Sequence, residues 1–183
     1  MSLLLLGCPS VLLADYEDGV NAAFVGDFGL AYHEFSLAAE SGLDLAQYNL
    51  GILYFTGQGV ERDFEQAFLW TLAAAEQGHT AAQYNLGGLY YEGQGVARDY
   101  GKSAEWYDGA ARAGHADAAF IMARMYQEGR RIEKDPVVAH AWASMAVSNE
   151  HEEAASLRNS LERRMNQQQL SQARQLFARW QIE

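Results

Sequence analysis

The sequence contains a single cysteine, Cys8, so no disulfide framework can form within the chain. Only two prolines occur, and no stretch alternates apolar and polar residues in the manner of a half-buried strand, which argues against a β-rich fold. No apolar run reaches the roughly 20 residues that a membrane-spanning helix needs. Lysine and arginine are absent before Arg62, although that stretch holds eight acidic residues. From Gly129 onward eight basic residues face seven acidic ones, and the whole chain carries a net charge of −11. An acidic surface repels phosphate backbones, so nucleic acid is not the expected partner.

What the chain does have is a repeat. Ala46, Gln47, Tyr48, Asn49, Leu50 and Gly51 return 36 positions later as Ala82, Gln83, Tyr84, Asn85, Leu86 and Gly87. Gly57, Gly59 and Val60 return as Gly93, Gly95 and Val96, Trp70 as Trp106, and Gly78–His79 as Gly114–His115. Self-similarity at a fixed period of this size marks a repeat architecture in which each unit buries its apolar face against the next.

Each unit reads as a helix pair. Ala46, Leu50 and Tyr54 share one face of a first helix, and Gly57 and Gly59 end it, since glycine takes the left-handed conformation a helix terminus favours. Asp63 is placed to cap a second helix, with Ala67, Trp70 and Ala74 on its inner face. The units span 44–79, 80–115 and, more degenerate, 116–151. In the last, Asp135–Pro136 opens the second helix with a capping residue and a proline at the position where it is tolerated. Arg131 stands there in place of the second loop glycine and Glu150 in place of the closing one.

Residues 15–43 match only partly, through Asp27, Ala31, Ala38, Ala39 and Gly42, and read as an N-terminal cap with a first helix from Asp15 to Val25. Residues 152–183 fall outside the period and predict two amphipathic helices, Glu152–Met165 and Gln168–Gln181, that cover the other end. Residues 1–14 are apolar from Leu3 to Ala14 and end before the acidic Asp15. They read as the back part of a secretory signal, giving a periplasmic or secreted bacterial protein. The alternatives are a lipoprotein anchored through Cys8, or an ordinary first helix of a cytoplasmic protein.

The pattern Ala-x-x-x-Leu-Gly-x-x-Tyr, Gly-x-Gly-Val-x-x-Asp, Ala-x-x-Trp and Ala-Ala-x-x-Gly resembles the Sel1-like repeat, a relative of the tetratricopeptide repeat. The resemblance implies an all-α fold: an α-solenoid, a right-handed superhelix of antiparallel helix pairs, closed by C-terminal capping helices. It also implies an adaptor that binds proteins or peptides. Some secreted members staple each unit with a disulfide, and this chain resembles the cysteine-free ones.

Binding should use positions that the repeat does not need for packing. By similarity to tetratricopeptide repeats, the concave groove is lined by the first helices. There Tyr48, Ile52 and Phe55 stand off the buried stripe, followed by Tyr84, Gly88 and Tyr91, and by Phe120, Arg124 and Gln127. Such aromatics suit an extended peptide or a helix with apolar anchors, although each could equally serve packing between units. Asn49 and Asn85 are candidates to hydrogen-bond a peptide backbone.

Catalytic readings find little. His79, His115 and His151 form a set only through the period. One repeat step separates each from the next, about 10 Å by helix packing distances, too far for shared ligation of one metal. They read as turn residues opening each unit, and His33 and His140 show no obvious partners. The Gly-x-Gly loops follow no strand and are not dinucleotide loops. No catalytic, metal or cofactor residues are assigned. The leading reading is a non-enzymatic scaffold for a peptide or protein partner, and the alternative is a self-associating structural protein joined through its apolar N-terminus. A hydrolase of cell-wall or antibiotic substrates is a third reading, and no nucleophile–base pair supports it.

Overall fold

The computed structural model describes residues 9–129 and 132–182. Cys8 and the leucine run before it, like Arg131, lie outside the described residues. Ten helices occur there and no strand: α1 (Pro9–Phe24), α2 (Phe28–Glu40), α3 (Asp44–Thr56), α4 (Phe64–Glu76), α5 (Thr80–Glu92), α6 (Tyr100–Arg112), α7 (Ala116–Glu128), α8 (Pro136–Ser148), α9 (Ala154–Glu162) and α10 (Gln167–Trp180). The first helix starts six residues earlier than Asp15, so the end of the apolar N-terminal stretch belongs to α1. The penultimate helix is shorter than expected.

Capping explains where the helices begin. Asp27, Asp63, Asp99 and Asp135 each accept backbone N–H groups of the first turn of α2, α4, α6 and α8. Each such cap is worth about 1 kcal/mol, because it satisfies donors that have no partner within the helix. Asn166 and Gln169 cap α10 reciprocally.

The chain divides into two compact units, Met1–Arg98 and Asp99–Glu183. In the first, α1 packs on α2, α2 on α3, α3 on α4 and α4 on α5. Its core is built from Ala22, Ala31, Phe35, Ala38, Ala39, Ala46, Leu50 and Leu53, with Tyr54 and Trp70 against it. Alanine dominates because the helices approach closely. At Gly51 a Cβ would lie 2.7 Å from the Thr71 hydroxyl and 3.3 Å from the Ala67 carbonyl oxygen, so α3 and α4 meet almost backbone to backbone.

The two loop glycines have separate tasks. Gly57 ends α3 in a left-handed conformation (φ 75°). Gly59, also left-handed, lies on the backbone of Phe28, where a Cβ would collide with the carbonyl group. Gly95 repeats this against Phe64. The second glycine therefore lets each loop rest on the helix start of the preceding pair.

In the second unit α6 packs on α7 and α7 on α8, while α9 and α10 both pack on α8. Every residue of α8 from Ala139 to Ala146 is buried. Trp180 of α10 packs on Trp142 at 4.3 Å between ring centroids. The Arg112 guanidinium sits 5.8 and 5.2 Å from those two rings, and pairs with Asp108 at 2.7 Å. Glu150, in the closing-glycine position, still adopts a left-handed φ of 65°.

Candidate binding face

The first helices each bury one stripe and leave a neighbouring one partly open. On α3 the buried stripe is Ala46, Leu50 and Leu53. Tyr48 and Ile52 beside it are half-buried, and Phe55 is 39% exposed. Phe55 meets Phe64 of α4 edge-on at 5.3 Å, and the Arg62 guanidinium lies 5.7 Å from the Phe64 ring. On α5 the corresponding Tyr84, Gly88 and Tyr91 are half-buried beside the buried Leu86 and Leu89.

Tyr48 stacks on His79, with ring centroids 4.5 Å apart and planes inclined by 27°. His79 is fixed in turn, because its Nδ1 accepts the Ala82 N–H at 3.1 Å and caps α5. The second unit repeats the device on its own residues. Phe120 of α7 stacks on His151 at 4.0 Å and 13°. His151 Nδ1 accepts from the Glu153 N–H at 3.2 Å, and its Nε2 lies 3.4 Å from Asp117. His115 caps α7 through the Ala118 N–H, and burial lowers its pKa against the opposing charge of Asp117. His79 and His115 are thus helix caps, His151 binds the backbone of the turn before α9, and His79 and His151 are also platforms for an aromatic ring. Sequence reasoning placed them at the turns but missed both tasks; the stacking partner lies 31 residues away.

Asn49 donates to the Leu45 carbonyl at 2.9 Å and to the Tyr16 hydroxyl at 3.3 Å, so its amide hydrogens already tie α3 to α1. Asn85 is half-buried on α5. In the second unit Arg124 is exposed and pairs with Glu128 at 3.0 Å, and Gln127 is half-buried. The structure therefore brings Tyr48, Ile52, Phe55, Tyr84 and Tyr91 onto first helices of one unit. Phe120, Arg124 and Gln127 belong to a first helix of the other.

Two further contacts were not legible in the sequence. Tyr32 and Tyr54 meet edge-on with their hydroxyl oxygens 3.0 Å apart. Burial, chiefly, and the Tyr32 hydrogen bond push the Tyr54 pKa up to about 12. His140, which showed no partner in sequence, has its Nε2 3.0 Å from Glu162. Among the described residues no three His, Cys, Asp or Glu side chains converge as a metal-binding group, and no helix is long and apolar enough to cross a membrane.

The model of the Sel1 repeat matches residues 44–79, 80–115 and 116–151. Among solved structures, the chain is similar to a protective antigen of uropathogenic Escherichia coli strains that displays an SLR fold. That match has 31% identity and a TM-score of 0.75, over 79% of this chain and 32% of the other. It is also similar to a Sel1 repeat protein from Oxalobacter formigenes, with 31% identity and a TM-score of 0.71, over 76% of this chain and 57% of the other. The chain thus spans about a third of the first relative's length and just over half of the second's. No curated protein matches it.

Proposed function

The chain belongs to the Sel1 repeat family, whose members typically serve as protein-interaction scaffolds, and from that premise we propose that its first-helix face takes an extended or helical segment of a protein partner. The observation that carries this reading is the partly open stripe of Tyr48, Ile52 and Phe55 beside the buried stripe of α3, repeated on α5 by Tyr84 and Tyr91. Large aromatic and aliphatic side chains left partly open beside a rigid core are the usual anchors of such contacts. Tyr48 contributes through its ring edge, because one face is against His79. The acidic charge of the chain before Arg62 favours a partner segment with basic residues next to its apolar anchors.

The test is affinity capture from bacterial envelope and cytosolic extracts with the wild type, an Ile52→Ala/Phe55→Ala double variant and a Leu69→Ala control. Leu69 is exposed on α4, the second helix of the pair, and not on a first helix. A protein held by wild type and control but lost with the folded double variant is the expected result. Equal retention by all three would refute this face as the site. Capture from the envelope extract alone would favour export, the reading that the apolar stretch Leu3–Ala14 supports.

Self-association is a second reading, favoured by one observation. Phe24 is 91% and Val25 76% exposed at the end of α1, with Leu13, Val20 and Leu30 also exposed nearby in sequence. Exposed apolar residues concentrated in this way mark contact surfaces. Light scattering of the wild type and a Phe24→Ser/Val25→Ser variant checks it: a concentration-dependent oligomer should dissociate in the variant, and a monomer in both cases removes this reading.

A further inference from the structure

The helices that close the second unit leave a cleft of about 390 Å³ between them. Its walls come from α8 (His140, Ser144 and Val147), α9 (Arg158 and Glu162) and α10 (Arg174 and Phe177). The volume falls in the range of small-molecule sites, and the chemistry is unlike the rest of this acidic chain. Two guanidinium groups face one carboxylate, and Val147 and Phe177 supply apolar wall.

The polar groups of this cleft are incompletely satisfied. Arg158 Nε is buried without a hydrogen-bond partner, and so is Nδ1 of His140, a side chain only 2% exposed. Gln181, at the rim, has its amide on the weak acceptor Met145 Sδ at 3.6 Å. A buried guanidinium N–H without an acceptor is costly, and a planar oxyanion is the ligand that its fork fits. Glu162 is already engaged through Oε1 with His140. Its pKa is held low chiefly by that bond, against the cost of burial, with the charges of His140, Arg158 and Arg174 adding. The cleft therefore carries a positive field that one internal carboxylate does not exhaust. Ser144 donates to the backbone carbonyl of His140 at 2.9 Å. The Ser144 hydroxyl is thus engaged with the backbone.

We propose that this cleft binds a carboxylate, with Arg158 and Arg174 holding the oxyanion and Phe177 and Val147 covering a small apolar body. Charge selects a carboxylate over a phosphate. Glu162 lies beside the two guanidinium groups, and a dianion would meet more repulsion from it than a monoanion does. The carboxylate could come from a free organic acid or from the C-terminus of a peptide. This site lies in the second unit's closing helices and does not depend on the first-helix face.

The experiment is a titration of the whole chain with phenylacetate, followed through the Arg158 Nε–H and His140 ring resonances. Phenylacetamide and inorganic phosphate serve as parallel probes. Saturable shifts with a dissociation constant on the order of 1 mM are expected for an acid of this size, with weaker effects from the amide and from phosphate. Arg158→Gln and the exposed Arg174→Gln should each weaken binding about tenfold or more. Glu162→Gln, which keeps a hydrogen-bonding group for His140, should tighten it. Melting curves establish that each variant is folded, and Arg174→Gln decides the matter if Arg158→Gln is not. A tripeptide ending in phenylalanine, free or amidated at its C-terminus, identifies the source: tighter binding of the free peptide than of phenylacetate assigns a chain terminus, and weaker binding a small acid. Phosphate binding more tightly than phenylacetate, equal binding of acid and amide, or affinity unchanged in a folded Arg174→Gln would overturn the proposal.

Discussion

Replacing Gly51 with alanine sets two effects of opposite sign against each other. Within a helix the change favours folding by about 1 kcal/mol, since alanine loses less backbone freedom than glycine. Against this stands the crossing of α3 on α4. The new Cβ would sit 2.7 Å from Thr71 Oγ1, and 3.3 Å from both the Ala67 carbonyl oxygen and the Thr71 nitrogen. Thr71 is buried at 4% exposure and the other two atoms are backbone, so the clash cannot be relieved by swinging a flexible side chain into solvent. Overpacking of this kind costs about 1–3 kcal/mol. The two terms leave a net destabilisation of about 1 kcal/mol, concentrated at the α3–α4 contact. A repeat array loses stability interface by interface, so the assay is hydrogen exchange of α3 and α4 amides, with urea melts as a global check. The double variant Gly51→Ala/Thr71→Ala should be more stable than the sum of the two single changes predicts, because removing Oγ1 removes the nearest obstruction. An alanine variant as stable as the wild type, with no coupling to Thr71, would refute the close-crossing argument.

Three further outcomes are expected. Glu150→Gly should stabilise the second unit by about 1 kcal/mol in urea melts, because Glu150 holds a left-handed φ of 65° that glycine adopts without strain; no gain would mean that the glutamate side chain contributes an offsetting contact. His115→Asn keeps a helix-capping acceptor but removes a group whose pKa burial holds below 6.5. Because the unfolded chain then binds the proton more readily than the folded one, wild-type stability should fall as the pH drops below 6.5, and the asparagine variant should show a flatter profile there. Tyr32→Phe should bring the Tyr54 pKa down from about 12 without returning it to 10.0, since burial remains the largest cause; ultraviolet titration reads this directly. The raised value also means that Tyr54 favours the folded state up to about pH 10, and that this contribution is lost as the pH rises toward about 12.

Much of the architecture was readable from order and spacing. The 36-residue period, the aspartates that open α4, α6 and α8, and the glycines that close α3, α5 and α7 are local signals, because a cap or a left-handed turn is decided by residues within a few positions. The all-α repeat fold follows from them. Less visible was why the loop needs two glycines. Only the fold lays Gly59 against the backbone of Phe28, more than 30 residues earlier in the chain. Likewise Tyr48 and Phe120 could be read as binding or packing residues until His79 and His151 were found stacked beneath them.

By itself, then, the sequence determined the repeat, the family and the helix pairs of the repeat, all of which depend on residue type at short or periodic range, while the start of α1 and the extent of α9 differed from the expected ones. Tertiary structure alone decided which side chains of the first helices remain partly exposed. It also decided that His140, Glu162, Arg158 and Arg174, drawn from the last repeat helix and the two helices that follow the repeats, share one cleft. Such groupings depend on how α9 and α10 settle on α8, which is a matter of packing between surfaces distant in sequence, and no periodicity encodes it.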